Sequence, residues 1–312
     1  MKELAREGFR LKVASQADSA ARIWLNRATS SAVRAFLVMI LVVLPSVILP
    51  GIGTDTKQIV ALVALFAGAM VFFEYNAIYP SLVEFRDGAP YNRIRYLMLL
   101  VIVLLLSVIV ADREDPTTVS RLVRALGEVV GSALDFPYSP VRLATLMISD
   151  SSTADQIQDI RTATGTAYLV SLMSLAIFVI VLKMVGWPST KNAFNVWVNL
   201  PTFEPTAGGD VVDRLERDSR INLAVGFLLP FVVPAIIVLV TTGLPADTVT
   251  SPQTLIWTIA ALAYLPASLL MRGVAMARIA DMIRTKRDLK VAEDAALAAP
   301  NRRASLDDED DN

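Results

Sequence analysis

Two ionisable side chains sit inside otherwise apolar runs of this chain, and they are the first candidates for chemistry. Glu74 lies in VFFEYNAIYP, about five residues before the end of one apolar run, and Lys183 lies at a similar depth in a later one. Charge is costly in hydrocarbon, so such groups either extend to the interface or pair. The sharper expectation is an intramembrane ion pair of Glu74 with Lys183 that pins two helices together. A proton- or sodium-coupled carrier needs carboxylates near mid-depth, and none of the apolar runs has one there.

Three prolines and one aromatic loop are the other candidates. Pro230 and Pro234 stand four residues apart in INLAVGFLLPFVVPAIIVLVTT, and Pro266 lies in the middle of a later run. Each removes a backbone donor and frees a carbonyl, so all three are expected to bend their helices. In the polar stretch before Pro230, Phe194, Trp197, Leu200 and Phe203 are too apolar for a plain linker. They are expected either to lie in the headgroup zone or to form a patch that docks a partner protein. Gly208-Gly209-Asp210 follows as a turn and N-cap, so a helix should begin at Val211 and run into the next apolar stretch.

Composition removes whole classes of chemistry. The chain has no cysteine and no histidine. Disulfides, thiol nucleophiles, Cys or His metal ligands and histidine proton relays are therefore excluded. The serines and aspartates of the loops fall in no recognisable nucleophile or dyad setting. No cofactor is expected. The net charge of −1 argues against nucleic acid as a partner.

The elements that must position these residues are membrane helices. Of the 312 residues 54% are hydrophobic, the mean hydropathy is +0.53, and only 19% are charged. The apolar residues gather into blocks long enough to cross about 30 Å of hydrocarbon. The reading is an all-α polytopic membrane protein: a six-transmembrane-helix bundle with amphipathic extramembrane helices. The spans are expected at about 33–49, 58–79, 94–111, 163–185, 221–242 and 254–271. Residues 1–32 form a basic amphipathic arm that does not read as a cleaved leader. Residues 112–161 form an external helical loop, 186–220 a second large loop, and 272–312 a basic helix with an acidic, disordered tail. Asp115-Pro116 reads as one helix start in the external loop and Ser139-Pro140 as another.

Small residues four apart suggest close packing: Ala64 with Gly68, Ala167 with Ser171, and Ala263 with Ala267. The N-terminal arm, the second and fourth links and the C-terminal region hold 23 of the 29 basic residues. By the positive-inside rule both termini are then cytoplasmic, and alanine, valine and arginine usage suggests a bacterial inner membrane. The expected function is a non-enzymatic membrane scaffold, assembly or regulatory subunit. It would engage membrane lipid and other membrane or cytoplasmic proteins, or copies of itself, through the aromatic loop and basic termini. The alternative is a transporter or channel-like permease with the proline-bent fifth and sixth helices lining the path.

Overall fold

The structure is a computed structural model that describes residues 2–86, 88–147, 153–188, 199–201, 203, 208–241 and 251–310, with the side chains of 2–24, 89, 241 and 298–310 outside that description. Eight helices follow one another among the described residues: α1 (Lys2–Ile48), α2 (Thr54–Asn76), α3 (Ala89–Ala111), α4 (Thr118–Leu134), α5 (Pro140–Thr145), α6 (Ala154–Val185), α7 (Val211–Thr241) and α8 (Pro252–Asp310). Six of them (α1, α2, α3, α6, α7 and α8) contain stretches long and apolar enough to cross a membrane. The protein is an all-α, multi-pass membrane bundle. Helix is what such sequences must form in lipid, because it satisfies every backbone donor and acceptor within the segment.

The helix boundaries follow local polar chemistry. Thr153 caps α6 in a reciprocal box with Gln156, and Gly186 closes the same helix at φ +63, a conformation that suits glycine. Ser139 caps α5, as expected. The start of α4 departs from expectation. Its cap is Thr117, two residues beyond Asp115, because Thr117 and Ser120 form a reciprocal capping box. Two other boundaries differ as well. The second span stops at Asn76, and α8 continues to Asp310 where an unstructured tail was expected. The run AEDAALAA at 292–299 is rich in alanine, the strongest helix former, and carries α8 onward.

α3 and α8 are the most enclosed spans, and α2 and α7 the least. α8 packs against α7, α6, α3 and α1, while α2 packs chiefly against α1. The expected small-residue seams are close contacts. Ala64 and Gly68 are buried, and a Cβ on Gly68 would fall 2.7 Å from Met39 Cγ on α1. Ala167 and Ser171 on α6 meet Ala263 and its neighbours on α8. There Ser171 Oγ donates to the Ala263 carbonyl at 3.1 Å, and Tyr168 Oη donates to Leu262 at 3.1 Å. Small side chains let these backbones approach, and the hydroxyl bonds complete the contact.

One face of the bundle is capped by α4 and α5. Arg124 bridges Asp112 (2.8 Å) and Asp159 (2.9 Å) and donates to the Ile109 carbonyl at 2.7 Å, tying the end of α3 to the start of α6. Asp135, just after α4, accepts from Arg142 at 2.5 Å and pairs with Arg161 at 2.7 Å. α4 turns its small face inward: a Cβ on Gly165 of α6 would fall 2.5 Å from Gly131 Cα. Its apolar arc of Val119, Leu122, Leu126 and Val129 is left 60–70% exposed, the disposition of a helix lying at a membrane boundary. The opposite face carries the α2–α3 and α6–α7 links and the emerging end of α8; it is called the terminal face below.

Candidate functional site

The most elaborate polar construction at the terminal face joins three elements. Arg272, on α8, lies against Glu84 of the α2–α3 link, with Nε donating to Oε2 at 2.6 Å and Nη2 to Oε1 at 2.7 Å. Its remaining nitrogen, Nη1, donates to Asn222 Oδ1 on α7 at 2.8 Å. Both charged side chains are largely enclosed, so the guanidinium fork is matched where water competes little. Sequence reasoning counted Arg272 only as a basic residue at the end of a span. Asn222, a polar residue at the start of an apolar run, was the signal that it had a partner.

Behind this pair lies an aromatic wedge. The rings of Phe85 and Tyr91 sit 4.3 Å apart, Phe85 meets Trp187 at 6.0 Å, and Tyr91 meets Phe178 at 5.9 Å. Gly88 allows this packing, since a Cβ there would come within 3.0 Å of the Trp187 ring. Phe85 itself takes φ +50. That conformation is held from both sides, by the buried ring and by the Phe85 N–H, which donates to the Asn199 carbonyl at 2.6 Å.

The same bond draws the end of the aromatic loop into the protein. Leu200 is fully buried and Phe203 is 6% exposed, with the Arg214 guanidinium 4.6 Å over the Phe203 ring. This corrects the expectation of a docking patch at these two positions: both are core residues that seat the loop on α7 and the aromatic wedge. Phe194 and Trp197 lie outside the described residues.

α7 and α8 continue together past this point as an antiparallel pair. Glycines set their spacing. A Cβ on Gly226 would fall 3.0 Å from the Pro266 carbonyl, and one on Gly273 would fall 2.8 Å from Leu223 Cγ and 3.0 Å from the Ser219 carbonyl. Ser219 Oγ donates to the Gly273 carbonyl at 2.8 Å. Farther out, Arg284 pairs with Glu216, and Arg287 Nη1 donates to both oxygens of Asp210 at 2.9 and 2.8 Å. Asp210 is the N-cap of α7 as expected, accepting from the Val212 N–H at 2.8 Å. That backbone bond and the Arg287 guanidinium hold the Asp210 carboxyl below the usual carboxylate range.

The remaining candidates fall apart as a set. Glu74 is not paired with Lys183. Its Oε1 accepts from the backbone N–H groups of Ser81, Leu82 and Val83, and its Oε2 accepts from Ser81 Oγ at 3.2 Å, so it closes the loop that follows α2. Lys183 is exposed in the last turn of α6, where a cation complements the carbonyl end of the helix. The expected ion pair fails because α2 ends three residues early. The carboxylate then sits in the last turn of α2, and the loop beyond folds back so that the N–H groups of Ser81, Leu82 and Val83 bind it in place of a distant lysine. Pro230, Pro234 and Pro266 are all buried inside helices that run unbroken past them.

Four carboxylates of the terminal face thus have assigned partners: Glu74 the loop amides, Glu84 Arg272, and Asp210 and Glu216 two arginines of α8. Carboxylates bound in this way fix helices in place and are poorly suited to exchanging protons with a substrate. No protein-family model matches the chain, and no curated protein or solved structure matches it significantly.

Proposed function

We propose that this protein is a non-enzymatic scaffold or assembly subunit of a bacterial inner membrane, with its terminal face in the cytoplasm and α8 as the arm that meets its partners. One observation carries the reading. α8 crosses the interior of the bundle, is clamped to α7 by Arg284–Glu216 and Arg287–Asp210, and then leaves as a single helix in which every residue from 287 to 297 is exposed. Beyond Arg287 the helix runs 23 more residues to Asp310, about 35 Å at 1.5 Å per residue. Leu289, Val291 and Leu297 are 63–68% exposed along it. A helix paired with α7 at its base, with apolar side chains left uncovered beyond it, is suited to presenting a surface to a partner. The concentration of lysine and arginine on this face supports the orientation.

The test is affinity purification of the full chain from its native membrane, beside a chain ended after Arg287. Specific proteins recovered with the full chain and lost from the shortened one are the expected result. Identical recovery from both would overturn the arm's role. In this cysteine-free chain, single cysteines placed along mid-depth of α7 and α8 should resist water-soluble thiol reagents. A continuous reactive stripe there would instead favour a permease.

A further inference from the structure

We propose that the junction of α1, α2 and α3 at the terminal face binds the phosphate of an anionic phospholipid, held by Arg34 and Arg95 beside Tyr75. The Arg34 guanidinium lies 4.5 Å over the Tyr75 ring, and that of Arg95 lies between the rings of Tyr91 (5.0 Å) and Tyr264 (5.8 Å). Tyr96 Oη donates to the Leu37 carbonyl at 2.9 Å. This bond pins α1 to α3 one residue from Arg95 and one turn from Arg34. The Tyr75 phenol lies within electrostatic reach of both arginines, and of Arg86 as well.

Ion-pairing capacity is left over at this point. Among the described residues neither Arg34 nor Arg95 forms an ion pair with a carboxylate. Arg34 Nη1 turns back to Ser30, donating to its carbonyl at 3.1 Å and to its hydroxyl. Arg95 Nε is buried with no hydrogen-bond partner in the protein. The nearby carboxylates have closer partners, Glu74 the loop amides and Glu84 Arg272, with Glu84 still within electrostatic reach of Arg95. Tyr75 lies in the last turn of α2 and Arg95 in the second turn of α3, the depth at which a span enters the headgroup layer. Guanidinium groups without a carboxylate ion pair of their own at that depth suit a phosphodiester, whose paired oxygens match their donors.

A free phosphate ion offers the same oxygens, but the surroundings favour a lipid. Phe73, Ile78, Tyr79 and Leu82, on the end of α2 and the loop after it, are 65–73% exposed, an apolar margin for glycerol and acyl chain.

Delipidated full-length protein in detergent would be titrated with phosphatidylglycerol and with phosphatidylcholine and followed by native mass spectrometry. The series would be repeated in excess inorganic phosphate. Phosphatidylglycerol should bind more tightly by roughly thirtyfold, the effect expected of two basic side chains at a membrane surface. The double change Arg34→Gln and Arg95→Gln should abolish that preference and leave phosphatidylcholine binding unchanged. Arg121→Gln, exposed on the capped face, should keep it. Equal binding of the two lipids by the unaltered protein would overturn the site without any variant having to fold, and so would a preference that survives the double change. Displacement of phosphatidylglycerol by inorganic phosphate would overturn its assignment to lipid.

Discussion

Arg272 and Glu84, 188 positions apart in the chain, form a two-point pair with contacts of 2.6 and 2.7 Å. The pair ties α8 to the α2–α3 link, and Arg272 extends the tie to Asn222 on α7. Removing one partner of such a pair strands the other charge. With side-chain exposures of 25% and 13%, the loss should be roughly 2–3 kcal/mol for either Glu84→Gln or Arg272→Gln, below the range for fully buried pairs. Thermal unfolding in detergent would measure it. The double change should cost little more than either single one. Additive losses would mean that the two residues act independently.

The α4–α6 crossing makes a steric prediction. A methyl on Gly165 would meet the Gly131 backbone at 2.5 Å, where neither chain can give way without moving apart. Gly165→Ala should therefore cost about 1–3 kcal/mol by overpacking and loosen α4 from the bundle. Gly127→Ala should be milder, because its nearest neighbours are side-chain atoms of Thr166 and Thr162 and not backbone. Hydrogen exchange over residues 118–134 would rank the two, and equal protection in both variants would contradict the close crossing.

The prominent parts of this fold were legible because membrane helices have a length requirement and close helix contacts require small residues. Ala64/Gly68, Ala167/Ser171 and Ala263/Ala267 were readable as seams for that reason, and Asp210 as a cap because a turn and a helix start surround it. The fate of Leu200 and Phe203 was not legible. Apolar residues in a polar loop serve equally well as an exposed patch or as a plug, and the choice depends on a contact with Phe85 more than a hundred positions away. Arg272 was missed for the same reason. Its type and position suit a positive-inside flank, and only the folded chain brings Glu84 to it.

Glu74 and Lys183 give a second stability test. Because Glu74 accepts from three backbone amides, Glu74→Gln should weaken the loop after α2, by about 1 kcal/mol once solvent exposure is allowed for. Lys183→Gln should cost no more than the few tenths of a kcal/mol of an exposed helix-end cation (about 0.3 kcal/mol), and the losses in the double variant should simply add. A large coupling between the two in the unfolding midpoints would restore the ion pair that the geometry denies.

The base of the α8 arm should respond to acid with a definite sign. The Asp210 carboxyl is held below its ordinary range by the Val212 N–H and by Arg287. A carboxyl depressed in the folded state contributes stability that is fully present above its unfolded value and is lost as pH falls through the folded value. The junction between the start of α7 and Arg287 should therefore hold at neutral pH and open only below the usual carboxylate range. Spin labels on the first turn of α7 and near Lys290 would report the separation by electron paramagnetic resonance across an acid titration. Asp210→Asn can still cap α7 but carries no charge to titrate. It should show a looser junction at neutral pH and no acid transition at this point. An unchanged transition in that variant would assign the opening to another group.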